Sequence, residues 1–208
     1  MNTNPLFAKA REIVQSGALG APKRLVWIIT NWYRTQNYYN SGTWWATWAG
    51  EGGGVLLNQC PHNLDLWQWI CGMPSKVYTK MQFGKWHDIE VEDEVTAYFE
   101  YENGATGVIE ASTCANPGFE RRLEIIGTEG SVILVENRIE KLILGGETVI
   151  SGSSEPIPCT ASDPAAMGCK LHVMQLQNFV SAVQNGSRLA VTAADGRRAV
   201  ALIEEIYS

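Results

Sequence analysis

The sequence predicts an α+β fold: one large, mostly antiparallel sheet with helices packed on one face and the other face available for oligomerisation. Three observations predict it. Between Ser75 and about Ile150, apolar and polar residues alternate in the short runs VTAYFEY, ATGVIEAS, RRLEIIG, SVILVE and KLILG, separated by the turn signals Glu102-Asn103-Gly104, Thr128-Glu129-Gly130 and Gly145-Gly146. Runs with helical spacing bracket this region on both sides. No internal repeat divides the chain, so residues 1–208 are expected to form a single domain.

Each element has a local reason. Asn4 before Pro5 reads as a helix start, because the amide can accept from a free backbone N–H and proline is harmless where no intrahelical donor is needed. Leu6, Phe7, Ala10, Ile13 and Val14 then recur at helical spacing until Gly17. The β-branched and aromatic stretch from Lys23 to Trp32 reads as a buried strand. Residues 34–54 lack a period and are dense in Tyr, Trp, Asn, Thr and Gly, which suits a long functional loop held by its own side chains. A helix with Asn58 as N-cap and Pro61 in its first turn is expected to run to Cys71, with Gly72 as terminator. Ser151 to Asp163 reads as an exposed loop. Leu171, Met174, Gln175, Phe179, Val180 and Val183 are spaced for an amphipathic helix ending near Gly186, and Thr192 with Asp195 resembles a capping pair before Ala199, Leu202, Ile203 and Ile206.

Composition excludes several classes of partner. A net charge of -6 without a concentrated Lys/Arg surface argues against nucleic acid. No apolar run approaches the roughly 20 residues of a membrane span, and MNTNPLFAKA lacks the basic-then-apolar order of a signal peptide, so a cytoplasmic protein is expected. The five cysteines are odd in number and form no C-x-x-C pair, which argues against a disulfide framework or a zinc site. The run DIEVEDE from Asp88 to Glu94, next to His87, has no diagnostic ligand spacing and reads as a solvated strand start, so no metal site is expected. Eight tryptophans are the unusual feature, since Trp44, Trp45 and Trp48 fall within five positions.

The segment Gly52 to Gly72, GGGVLLNQCPHNLDLWQWICG, carries the most chemistry. Three glycines let the backbone pass close to something large. Asn58, His62 and Asp65 follow at spacings of four and three, which places them on one helix face. A neutral imidazole can exchange a proton with a substrate hydroxyl while an amide hydrogen-bonds a neighbouring one. A histidine in a first helical turn is also often a cap or a packed polar group, and Asp65 can equally serve as a tether. The glycine run is neither G-x-G-x-x-G nor a P-loop, so it cradles no dinucleotide.

The order of TNWYRTQNYYNSGTWWATWAGEGGGVLLNQCPHNLDLWQWICG, HDIEVEDEVTAYFEYENGATG, LEIIGTEGSV and NGSRLAVTAADGRRAV resembles the C-terminal domain of the glucose-fructose oxidoreductase, inositol dehydrogenase and rhizopine-catabolism (Gfo/Idh/MocA) family over nearly the whole chain. The resemblance implies a two-domain dehydrogenase. Its N-terminal Rossmann domain binds NAD or NADP and carries a catalytic lysine in a Glu-Lys-Pro motif; its C-terminal domain covers the nicotinamide, holds a sugar or cyclitol and often pairs subunits through the sheet. Neither that motif nor a dinucleotide fingerprint occurs in the 208 residues.

By the same resemblance, His62 matches the histidine beside the reacting carbinol, and Asn58 stands where many members have aspartate. An amide takes up no proton, so the relay falls to His62 and the absent lysine while Asn58 orients a hydroxyl. Branches with an Asn-Gln-x-Pro-His variant exist. Arg34, Tyr38 and Trp44 match positions that approach the substrate, with Asp65 beside them, and Trp45 stands where close relatives tend to have arginine. Aromatic faces with a few polar groups suit sugar rings, although tryptophans also plug sheet ends. The resulting expectation is a substrate-binding and oligomerisation domain, dimeric or tetrameric through the sheet, inactive by itself and binding no NAD or NADP. The alternative is a non-catalytic carbohydrate-binding or scaffold protein.

Overall fold

The computed structural model describes residues 4–151 and 170–208. The expected loop from Ser151 to Asp163 lies outside the described residues, except for Ser151 itself, which ends a strand.

Helix α1 spans Pro5–Gln15, and the Asn4 side chain accepts from the Leu6 backbone N–H at 2.9 Å as the sequence predicts. Strand β1 spans Pro22–Ile29, followed by the short helices α2 (Gln36–Asn40) and α3 (Val55–Asn58) and the longer α4 (Pro61–Cys71). Seven strands then run in succession: β2 (Lys76–Phe83), β3 (Glu92–Glu100), β4 (Thr106–Ser112), β5 (Arg122–Gly127), β6 (Gly130–Val135), β7 (Arg138–Leu144) and β8 (Glu147–Ser151). Helices α5 (Lys170–Asn185) and α6 (Ala193–Tyr207) follow, and the predicted Thr192–Asp195 capping box opens α6.

All eight strands form one sheet in the order β2-β3-β4-β1-β5-β6-β7-β8. The meander is interrupted once, because β1 inserts between β4 and β5, parallel to β4 and antiparallel to β5. Leu25, Trp27 and Ile29 of β1 thus face the helices at the centre of the sheet, beside Val95, Phe99, Ile109, Leu123 and Ile125. Phe7 of α1, Leu64 and Trp67 of α4, and Leu202 and Ile206 of α6 close this core from one side. The opposite face carries the alternating outward residues, including Val26, Ile28, Tyr98 and Ile126.

Three expectations need correction. Asn58 does not cap α4: the helix is broken at Gln59 and Cys60, and Cys60 holds the N-cap position. Pro61 is the reason, since it has no N–H to continue the preceding turn and its ring disfavours helical geometry at Cys60. Helix α5 forms as its periodicity predicts but does not bury its stripe: Leu176, Phe179 and Val183 are 65%, 57% and 70% exposed.

The third correction concerns the acidic run, which is no solvated strand start, because Glu92 and Asp93 are both fully buried. Phe83 pairs with Glu92 and Gln82 with Glu94, so Asp93 is an extra residue without a partner on β2. This β-bulge breaks the alternation that would have sent one of two adjacent side chains to solvent.

The buried Glu92 carboxylate explains the glycine triplet. It accepts from the backbone N–H of Gly54 at 2.9 Å, from that of Leu56 at 3.0 Å and from the Tyr207 hydroxyl at 2.7 Å. A Cβ on Gly54 would lie 1.9 Å from the Glu92 carbonyl oxygen, and one on Gly53 would lie 2.2 Å from the Tyr207 hydroxyl. The bulky object beside the glycines is this chain's own β3 and α6. Gly54→Ala is expected to destabilise the fold by at least about 2 kcal/mol, because backbone must move. Tyr207→Phe removes the atom that Gly53→Ala meets first, so in denaturant unfolding the double variant is expected to lose less stability than the two singles together.

Candidate active site

The aromatic loop is built around Tyr38. The Thr35 hydroxyl caps the single turn of α2 by accepting from the Tyr38 N–H at 3.2 Å. The Tyr38 ring stacks on Trp45 at 4.7 Å between centroids, and the Arg34 guanidinium sits 4.8 Å from the Tyr38 ring and 5.5 Å from that of Trp32. Such cation–π contacts hold the guanidinium against a surface without cancelling its charge. Trp44 meets Trp45 edge-on at 5.9 Å and is itself 55% exposed. Trp45 therefore packs the loop, while Trp44 presents a free face. Behind them Tyr39 is buried, and burial pushes its phenol up to about 12. Trp48 closes the loop against Phe83 and Tyr207.

Glu51 joins this loop to Asn58. One carboxylate oxygen accepts from the Ala46 N–H at 2.7 Å and the other from the Asn58 side-chain amide. The Asn58 carbonyl oxygen also accepts from Gln59 Nε2 at 2.6 Å. Asn58 remains exposed, so the amide keeps one free N–H and one free lone pair facing outward. Arg34, Tyr38, Trp44 and Asn58 are thus linked through Trp45 and Glu51, two connectors that the sequence did not single out as such. Glu51 lies seven residues before Asn58 across an irregular loop, a separation with no periodic signature.

His62 and Asp65 stand on α4, beyond the break at Gln59 and Cys60. His62 is exposed, and no hydrogen bond engages its ring among the described residues. The protein mass around it nevertheless displaces water, which lowers its pKa below the ordinary imidazole range, while the Asp65 carboxylate pulls it upward. A neutral, exposed imidazole is a proton acceptor. Asp65 accepts from Gln68 Nε2 at 3.1 Å, a local contact within α4. A cavity of about 470 Å³ lies elsewhere, on the sheet face away from the helices, lined by Thr30, Trp86, Glu94, Thr96, Glu110 and Cys114 among others.

Among the described residues, no helix is long and apolar enough to cross a membrane. Residues 7–133 match the family model described as GFO/IDH/MocA C-terminal domain. The chain is 25% identical over 201 residues to scyllo-inositol 2-dehydrogenase (NAD(+)) of Bacillus subtilis (strain 168), covering 92% of this chain and 53% of that protein. It is 24% identical over 203 residues to myo-inositol 2-dehydrogenase of Thermotoga maritima, covering 94% and 56%. The chain therefore spans about half the length of these relatives. Its fold resembles that of the WlbA dehydrogenase from Bordetella pertussis, solved in complex with NADH and UDP-GlcNAcA, with a TM-score of 0.79, 22% identity and coverage of 98% of this chain and 56% of that one.

The lowered pKa of His62 has a definite sign. The unfolded chain binds a proton at this residue more readily than the folded one, so His62 costs no stability above its unfolded pKa of about 6.5 and lowers stability progressively as the pH falls below it. In an NMR titration His62 is expected to titrate with a midpoint below about 6.5. Asp65→Asn, which removes the carboxylate that raises it, is expected to shift the midpoint further down. A midpoint that rises in this variant would contradict the assigned electrostatics.

Proposed function

The chain belongs to the GFO/IDH/MocA C-terminal domain family, and on that premise we propose that it is the substrate-binding and assembly half of an NAD(P)-dependent oxidoreductase acting on a CH–OH group of a sugar or cyclitol. The observation that carries this reading is the linkage of Arg34, Tyr38 and Trp44 through Trp45 and of Asn58 to the same loop through Glu51, with the exposed imidazole of His62 four residues on, in the first turn of α4. The similarity to the two inositol dehydrogenases supports the substrate class.

The roles follow from donor and acceptor chemistry. The Trp44 face covers the apolar face of a ring, while the Arg34 guanidinium donates to its hydroxyls. Asn58, with one N–H and one lone pair free, orients the hydroxyl beside the reacting carbon. His62 takes the hydroxyl proton at a ring nitrogen as the carbon is oxidised, and Asp65 favours the imidazolium that results. A nicotinamide nucleotide would accept the hydride. The glycine loop offers it no phosphate cradle, because the N–H groups of Gly54 and Leu56 are spent on Glu92. In this proposal the nucleotide is held by a partner domain and the isolated chain has no turnover.

The open sheet face is proposed as the subunit interface, giving a dimer or tetramer, because Val26, Ile28, Tyr98 and Ile126 leave apolar surface uncovered. The three described cysteines are unpaired, which suits a cytoplasmic setting.

NMR titration of the chain with scyllo-inositol or myo-inositol is expected to perturb Arg34, Trp44, Asn58 and His62; perturbation confined to other surfaces would overturn the site. Calorimetry with NADH is expected to give no binding, and tight binding would overturn the division of labour. Light scattering is expected to show a dimer or tetramer that Ile126→Glu dissociates, and a clean monomer at high concentration would remove the assembly role.

A further inference from the structure

The β-bulge at Asp93 brings together three groups from different parts of the sequence. His87 Nδ1 lies 3.3 Å from Asp93 Oδ2 and 3.9 Å from Cys114 Sγ, and the three potential ligand atoms all lie within 4.8 Å of one another. The His87 side chain is only 7% exposed and that of Asp93 is fully buried. Cys114 lies beside them and also lines the cavity on the open sheet face, next to Trp86 and Glu94.

The proton inventory of this cluster is unusual. His87 Nε2 lies 2.9 Å from the Arg34 carbonyl oxygen, which only accepts, so the ring proton of the neutral imidazole is placed on Nε2. Nδ1 then presents a lone pair to a carboxylate oxygen and a sulfur. Two lone pairs 3.3 Å apart in a buried site repel unless a cation lies between them. Asp93 Oδ2 accepts from the Trp86 N–H at 2.8 Å and the His87 N–H at 3.2 Å, and the second of these is weak enough to yield a lone pair to an incoming ion.

We propose that His87 Nδ1, Asp93 Oδ2 and Cys114 Sγ form a binding site for a divalent cation of the zinc class, with water from the adjacent cavity as fourth ligand. One nitrogen, one oxygen and one sulfur donor suit a borderline-soft ion, and in a tetrahedral site with bonds of about 2.0–2.3 Å the ligand atoms lie roughly 3.3–3.7 Å apart. The Nε2–H contact to a backbone carbonyl is the outer-shell arrangement that orients a metal-binding histidine. The thiol releases its proton on binding. Because the carbonyl belongs to Arg34, the ion would also fasten the aromatic loop to β3 and β4.

Cobalt(II) substitutes for zinc and reports its ligands. Titrating the chelator-treated chain with Co²⁺ is expected to give visible d–d bands and a thiolate-to-cobalt charge-transfer band, both displaced by Zn²⁺. Cys114→Ser is expected to abolish the charge-transfer band, whereas Cys159→Ala and Cys169→Ala retain it. His87→Gln is expected to weaken Zn²⁺ binding by at least the roughly 10–100-fold that loss of an outer-shell partner causes. Circular dichroism of each metal-free variant separates ligand loss from unfolding. Absence of the charge-transfer band in the wild-type chain, or its persistence in folded Cys114→Ser, overturns the proposal. A His87 imidazolium held by Asp93 with no response to Zn²⁺ also overturns it, since the intervening cation is then a proton.

Discussion

The buried carboxylate of Glu92 is the constraint on which the candidate active site depends. A carboxylate removed from water needs either a cation or several donors, and no lysine or arginine pairs with Glu92 among the described residues. Its donors are two backbone N–H groups of the glycine loop and α3, together with the hydroxyl of Tyr207 at the end of α6. Burial and the neighbouring negative charge both push the Tyr207 phenol upward, so it stays protonated and donates. A single side chain at the start of β3 thereby fixes the entry to α3, the position of Asn58 at its end and the docking of the last helix.

The neighbouring Asp93 performs the corresponding task on the other side of the strand. Its carboxylate collects the N–H groups of Lys85, Trp86 and His87, and His87 in turn meets the carbonyl of Arg34. Consecutive carboxylates can both be buried only because the bulge inserts an extra residue into β3. The end of the sheet is therefore organised by two anions, one gathering the glycine loop and the other gathering the aromatic loop. Glu51 links the two loops directly.

The helices differ in what they have to cover. α1, α4 and α6 bury their apolar stripes on the sheet, and Trp67 adds a hydrogen bond to the Tyr101 hydroxyl at 2.8 Å within that layer. α5 has an equally clear stripe but keeps it in solvent. Amphipathic periodicity specifies that a face seeks cover and says nothing of where the cover comes from.

The sequence by itself determined the fold class, the Asn4 and Thr192 caps, the end of α4 at Cys71 and the succession of strands from β3 to β7, because each rests on patterns among residues a few positions apart. It also marked Asn58, His62 and Asp65 by their types and spacing, which are visible without contacts, while Arg34, Tyr38 and Trp44 were marked by the resemblance to the family. Only the tertiary structure decided that β1 sits between β4 and β5, that Glu92 and Asp93 are buried, that Trp45 packs the loop while Trp44 remains free, and that His87 meets Cys114. Those outcomes depend on contacts that no local period encodes, His87 with Cys114 across 27 residues and Glu92 with Tyr207 across 115 among them, and on a bulge that shifts the strand register. The period of a strand predicts a side chain's direction only while its register is unbroken, and a buried charge is legible only once its donors have arrived from elsewhere in the chain.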